Sequence, residues 1–371
     1  MGLGSVVHVV GARPNFVKMA PVIAALEERG DVEQRIVHTG QHYDERMSSE
    51  MLTDLEFPEP DIFLGVGSGT HGAQTARALE AFERVLLDEE PDLVCVGGDV
   101  NSTLAVALAA AKLGIPIAHV EAGLRSYDWT MPEEINRVLT DRLSQILFTH
   151  SPEAAPNLAL EGIDPARVHF VGNTMIDSLR RFEARAEERM PWRQFRLERG
   201  DYVLVTLHRP SNVDGGRQLA RVVDALVALA DHARVVFPVH PRTTERLRAE
   251  GLLSSLLGAG VDCTEPLGYL DFLGLQIGAG AVVTDSGGVQ EEASALGVPC
   301  FTLRPNTERP VTIAQGTNTL LGEDPGPIGE IRPRELEHRV ARIEGWDGYA
   351  GQRAAEVIAH VLQSRPAEVF A

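Results

Sequence analysis

Short runs rich in Val and Ile alternate with amphipathic segments of helical length along almost the whole chain. Val6–Val10, Ile36–Thr39, Leu93–Val96, Ile117–Val120, Ile146–Thr149 and Val168–Val171 read as buried strands bounded by Gly, Pro or Asp. Between them lie helical patterns at Met19–Arg29, Thr75–Glu89, Thr103–Leu113 and Glu133–Ser144. A charged stretch from Arg180 to Asp201 interrupts the rhythm. It restarts with strands at Val203–Thr206, Val235–Val239, Val282–Thr284 and Cys300–Leu303, and helices at Gln218–Ala230, Glu291–Leu296 and Arg334–Ile343. Strands that are apolar throughout must be covered on both faces, which means parallel sheets flanked by helices. The expected fold is therefore α/β, with two doubly wound domains of 1–174 and 175–354. A C-terminal helix near 355–371 is expected to pack back on the first domain. In such folds ligands bind at the carboxyl ends of the strands, and the crevice between the domains is the expected place.

Charge narrows the partners. Lys plus Arg number 34 against 53 Asp plus Glu, a net −19. A surface that acidic repels phosphate backbones and anionic lipid, so neither nucleic acid nor membrane is expected as a partner. Cys95, Cys263 and Cys300 have no metal-knuckle spacing, and no metal site is expected. The start, MGLGSVVHVVGARPNF, has no basic segment or long apolar run, so a cytoplasmic protein is expected.

Several segments that leave strands carry chemistry. Gly11-Ala12-Arg13-Pro14-Asn15-Phe16-Val17-Lys18 joins the first strand to a helix. A helix N-terminus offers amides and a positive dipole end to an anion, and Arg13 and Lys18 add mobile charge there. The same turn also reads as an ordinary strand–helix connection. Gly97-Gly98-Asp99 follows a central strand; Asp99 suits either a helix cap or a catalytic carboxylate. Glu121 ends an apolar run, with Arg125 as its nearest partner in sequence, so it reads as a buried pair or a tuned acid. In Pro132-Glu133-Glu134-Ile135-Asn136-Arg137, Glu133 and Arg137 share a helix face, whereas Glu134 points elsewhere. Asp99, Glu121 and Glu133 thus fall on one rim, where acids can exchange protons with a bound substrate.

In the second half, His208-Arg209 and His240-Pro241-Arg242 leave successive strands, a pattern that suits a diphosphate. Thr284-Asp285-Ser286-Gly287-Gly288 leads from a strand into a helix and reads as a phosphate cradle, with Glu292 one turn on for ribose hydroxyls. Arg304-Pro305-Asn306-Thr307-Glu308-Arg309-Pro310 reads equally as a site loop or a plain surface loop. These residues point to a nucleotide-diphosphate ligand.

At these positions the chain resembles the non-hydrolysing UDP-N-acetylglucosamine 2-epimerases. The resemblance runs through Gly11–Lys18, Thr39-Gly40-Gln41-His42, Gly98-Asp99, His119–Arg125, Pro132–Arg137 and Gly172-Asn173-Thr174. It continues through His208-Arg209, Pro238–Pro241, Asp285–Glu292 and Thr307–Pro310. It implies a glycosyltransferase-B-type fold of two Rossmann-like domains facing across a cleft, a homodimer, and no nicotinamide, metal or other cofactor. It also implies the chemistry: UDP is eliminated across C1–C2 of the sugar, leaving a 2-acetamidoglucal, and is added back with the proton on the other face. By matching position, Asp99, Glu121 and Glu133 are implied as acid–base groups, with Arg137 and His208 supporting them. Arg13, Lys18, Arg209, His240, Ser286, Gly287, Gly288, Glu292 and Arg309 are implied to hold UDP. Relatives of the same architecture act on UDP-2,3-diacetamido-glucuronate. A glycosyltransferase of the same fold would use the same nucleotide site.

Overall fold

The computed structural model describes residues 4–40 and 51–364, apart from the side chain of Arg13. It divides into one unit of Met1–Arg181 with Glu344–Ala371 and a second of Phe182–Ile343. The chain therefore crosses at 181/182 and 343/344, against sequence boundaries at 174/175 and 354/355.

The strands of the first unit are β1 (Gly4–Val10), β2 (Val32–His38), β3 (Ile62–Phe63), β4 (Leu93–Gly97), β5 (Ile117–Ala122), β6 (Ile146–Thr149) and β7 (Val168–Phe170). They pair in parallel in the order β3-β2-β1-β4-β5-β6-β7. The second unit holds β8 (Tyr202–Thr206), β9 (Arg234–Pro238), β10 (Asp262–Thr264), β11 (Ala281–Thr284), β12 (Cys300–Thr302) and β13 (Asn318–Leu320). Their order is β10-β9-β8-β11-β12-β13, again parallel throughout. This is the doubly wound α/β architecture expected from the alternation. Every residue of β4, β5 and β11 is buried, which is why β4 and β11 read as near-continuous apolar runs, whereas β5 carries His119 and Glu121 within it. Both sheets reverse their strand order once, between β1 and β4 and between β8 and β11. In an open parallel sheet that reversal leaves the carboxyl ends uncovered for a ligand.

The helices that bear on the site are α1 (Arg13–Arg29), α2 (Asn101–Leu113), α3 (Pro132–Leu143), α4 (Gly287–Leu296) and α5 (Ala350–Gln363). One expected helix is absent. Arg334–Ile343 holds only a short 3-10 turn at Pro333–Glu335 and then runs irregularly. Its amides are taken by the open end of α4: Arg339 N–H donates to Gly297 O (3.0 Å) and Ala341 N–H to Ser294 O (3.3 Å). Satisfying the orphan carbonyls of one helix has overridden the helical pattern of the other. Gly297, at φ 77°, ends α4, and a Cβ there would lie 2.7 Å from Val340 N.

Helix α5 packs on α1. Gly351 brings its backbone so close that a Cβ would lie 2.6 Å from the carbonyl carbon of Pro21. The amide of Gly351 donates to Asp177 Oδ2 at 2.7 Å, and burial pushes the Asp177 carboxyl up to about 6 against that bond. Ala354, Ala355 and Ile358 complete the buried face. Replacing Ile358 by Ala should cost about 2–5 kcal/mol of unfolding free energy, the range for a buried large-to-small change. Urea denaturation checks this, and a loss below about 1 kcal/mol would place α5 outside the core.

Candidate active site

In the first unit three strand exits converge. After β1, Gly11 and Ala12 donate their amides to Asn15 Oδ1 (3.2 and 2.9 Å), while Asn15 Nδ2 donates to Gly97 O (2.7 Å) at the end of β4. The turn into α1 is thus laced by one side chain. Lys18, expected to add mobile charge at the helix N-terminus, is buried and pairs with Glu121. That also corrects the expected Glu121–Arg125 pair. Arg125 instead binds Glu161 (2.6 and 2.7 Å) and Asp141 (2.7 Å). Glu121 sits in a bulge of β5 between Val120 and Ala122, with φ of +71°. A bulge re-aims a side chain, here towards β4. A Cβ on Gly98 would stand 3.1 Å from Lys18 Nζ and 3.6 Å from Glu121 Oε2, so glycine keeps that approach open.

Asp99 is no helix cap. The N-cap of α2 is Val100, and no side chain caps it. The Asp99 carboxylate instead receives Arg137, which lies 2% exposed between Asp99 and Glu134. The helix face therefore differs from the expected one. It is Glu134, three residues before Arg137, that bonds the guanidinium (3.1 and 2.7 Å). Glu134 also accepts the amides of Ser126 (3.0 Å) and Tyr127 (2.7 Å), which turns its side chain inward. Burial alone raises its carboxyl, but the Ser126 and Tyr127 amides and the Arg137 bond and charge outweigh it and hold it below the usual range. Glu133 is half-buried, and among the described residues no hydrogen bond or ion pair engages its carboxylate.

Asp141 was not singled out in the sequence, yet it ties two of these exits together. It accepts from His119 Nδ1 (2.7 Å), the Gly123 amide (3.1 Å) and Arg125 (2.7 Å). The other His119 nitrogen lies 2.9 Å from Gly98 O, beside Asp99. His119 and Arg125 hold the Asp141 carboxyl below the usual range although burial opposes them. The available signal was its place in the last turn of α3, where the helix dipole disfavours an acid.

In the second unit, His208 and Arg209 leave β8 and Asp285 leaves β11. The buried Asp285 accepts the amides of both. Arg209 Nε donates to Asp285 O (2.9 Å). Arg242, expected beside His240 for a diphosphate, pairs with Asp214. The Ser286-Gly287-Gly288 segment opens α4 as expected, with Ser286 as N-cap. The first amides of a helix have no intrahelical partner and face outward. A Cβ on Gly287 would strike the guanidinium of Arg309, so a larger residue would have to displace the buried Arg309–Glu308 pair. Arg309 is itself buried against Glu308 and Glu291, and Arg304 bonds Glu308 at 2.6 Å. The 304–310 segment is accordingly no plain surface loop. Glu292 is buried and accepts from Gln276 (2.7 Å). Gln41 and His42 lie outside the described residues, as does the side chain of Arg13.

Against known proteins, the sequence model of the UDP-N-acetylglucosamine 2-epimerase family matches residues 24–363. The UDP-N-acetylglucosamine 2-epimerase of Methanocaldococcus jannaschii is 42% identical over 364 residues, spanning 95% of this chain and 98% of that one. The UDP-2,3-diacetamido-2,3-dideoxy-D-glucuronate 2-epimerase of Pseudomonas aeruginosa is 41% identical over 360 residues, spanning 95% and 99%. The crystal structure of the Methanocaldococcus jannaschii UDP-GlcNAc 2-epimerase in complex with UDP-GlcNAc and UDP has a TM-score of 0.89 to this chain. Its identity is 41%, with 96% of this chain and 99% of that one covered.

A carboxyl held low in the fold contributes stability that is present above its ordinary value and lost as pH falls through the lowered one. The stability gap between the wild type and Glu134→Gln should therefore narrow as pH falls below the ordinary glutamate value of 4.5. Urea midpoints measured across pH read this directly. A gap that stays constant would remove Glu134 from the acid response.

Proposed function

The chain belongs to the UDP-N-acetylglucosamine 2-epimerase family, and on that footing we propose that it interconverts UDP-N-acetylglucosamine and UDP-N-acetylmannosamine. The reaction inverts C2 by eliminating UDP and adding it back. The observation that carries this reading is the rim of the first unit. Asp99 faces Arg137, Glu121 faces Lys18, and Glu133 is engaged by no described residue. The C2 proton is not beside a carbonyl, so its removal and return need acid–base groups on both faces of the sugar. Three differently held carboxylates suit that demand better than the single base a glycosyltransferase needs for its acceptor.

Asp99, Glu121 and Glu133 move the protons, and Arg137 and His208 support them. The second unit supplies the UDP site. The open amides of Ser286, Gly287 and Gly288 take a phosphate, with Arg209 and His240 beside them at strand ends. The family reading adds Arg13 to the groups that hold UDP. Lys18, Glu292 and Arg309 already hold Glu121, Gln276 and Glu308, and complete the set of groups for UDP with the donors and acceptors those partners leave. No helix among the described residues is long and apolar enough to cross a membrane. A cytoplasmic homodimer supplying amino sugars for cell-envelope polysaccharide fits the family reading. The Pseudomonas aeruginosa relative favours a second substrate, a UDP-linked 2,3-diacetamido uronate.

Incubating the protein with UDP-N-acetylglucosamine alone in deuterated water tests the reaction. Deuterium at C2 together with the mannosamine epimer is expected. No exchange without an added acceptor would overturn it, and exchange only with the diacetamido uronate would move the activity to that sugar. Asp99→Asn, Glu121→Gln and Glu133→Gln keep shape but remove the exchangeable proton. Each should lower kcat on the order of 10²–10⁴-fold with UDP affinity near wild type. Tm should stay near wild type for Glu133→Gln and should fall for Asp99→Asn and Glu121→Gln, which take a charged partner from the buried Arg137 and Lys18. Normal turnover in all three variants would leave only the nucleotide site standing.

A further inference from the structure

Asp285 stands out among the buried acids because it lies directly behind an exposed imidazole ring. It has no exposure to solvent, yet its two oxygens accept the His208 amide (3.1 and 3.0 Å), the Arg209 amide (2.9 Å) and Asn212 Nδ2 (3.0 Å). His208 Nδ1 lies 3.0 Å from Asp285 Oδ1. Burial raises the carboxyl, but the His208 bond and charge, then Asn212 and the Arg209 amide, hold it below the usual range. A carboxylate in that state only accepts, so the ring nitrogen facing it carries a proton. Nε2 is left to the other side, and the side chain is 40% exposed.

His240 is arranged the opposite way. Its Nδ1 accepts the Arg242 amide (3.3 Å), capping the helix Pro241–Ala249, which leaves the ring proton at Nε2. The two rings lie 5.8 Å apart between centroids. One unit thus presents a histidine that donates through Nε2 beside one whose Nε2 is the site of proton gain and loss. Only the second needs a buried carboxylate to hold its tautomer.

We propose that Asp285 is a positioning residue for His208. It holds the proton at Nδ1 and the ring in place, so that Nε2 alone exchanges a proton with a diphosphate oxygen. When Nε2 is protonated, the imidazolium faces the ligand's negative charge and Asp285 balances it from behind. This rests on the reading of His208 as a group that supports the UDP chemistry. Asp285→Asn is the test, because an amide oxygen still accepts from the two backbone amides, whereas an NH₂ towards Nδ1 forces the ring proton to Nε2.

Nitrogen-15 shifts of labelled histidine in the wild-type protein should show His208 protonated at Nδ1, and in Asp285→Asn protonated at Nε2 alone. For UDP-N-acetylglucosamine turnover, kcat should fall on the order of 10²–10⁴-fold, as when the carboxylate behind a catalytic histidine becomes an amide. KM and Tm should stay close to wild type. A bare Nδ1 in the wild type overturns the proposal whether or not the variant folds. An Asp285→Asn enzyme with wild-type kcat also overturns it. A wild type that shows Nδ1–H but no epimerisation sinks the functional reading instead, while the Nδ1–H shift still supports the positioning of the ring.

Discussion

A parallel sheet that reverses its strand order leaves one gap at its carboxyl edge that no crossover helix can cover. Each unit has one such reversal, between β1 and β4 in the first and between β8 and β11 in the second. The segments with chemistry follow those strands. Gly11–Lys18 leaves β1, Gly98-Asp99 leaves β4, and Glu121 ends β5 beside it. His208-Arg209 leaves β8, and Asp285–Gly288 leaves β11. Topology therefore brings together residues far apart in sequence before any side chain makes a contact.

What topology brings together, buried charge then has to hold. An uncompensated ion inside a protein is strongly unfavourable, and removing one partner of a buried pair is worse than never having the pair. The first unit meets this with alternating signs: Lys18 on Glu121, Arg137 between Asp99 and Glu134, and Asp141 between His119 and Arg125. The second unit repeats the device with Arg304, Glu308, Arg309 and Glu291 beneath the opening of α4. Such networks fix geometry more than they add stability. They combine groups proposed to act, such as Asp99 and Glu121, with others that only hold the site, such as Glu134 and Asp141.

The buried central strands were legible in the sequence because both of their faces are apolar, and so the two-sheet architecture was legible too. The edge strands β3, β10 and β13 were not, since two or three residues with a partly polar pattern carry too little periodicity. Local spacing also misassigned partners. Glu133 and Arg137 share a face at four residues, yet Glu134 wins the guanidinium because it also answers the amides of Ser126 and Tyr127. Lys18 and Glu121 are 103 positions apart, and no window along the chain shows that they meet. The strand-end positions of Asp99, His208 and the glycine cradle could be read; the identity of what holds each of them could not.

Backbone strain at Glu121 explains why so much of the first unit's polar interior gathers around two strand exits. A non-glycine residue at φ +71° costs on the order of 1–3 kcal/mol and persists only where its surroundings leave it no alternative. Those surroundings are specific. Val120 O accepts the Gly98 amide (3.1 Å), and His119 holds the Gly98 carbonyl (2.9 Å). Asp141 holds both His119 and the Gly123 amide, the latter on the far side of the bulge. The residues before and after Glu121 are thus tied to one buried carboxylate, and its side chain is tied to Lys18. Strain kept in place by fully satisfied neighbours is the mark of a side chain that must point where an unbulged strand would not send it.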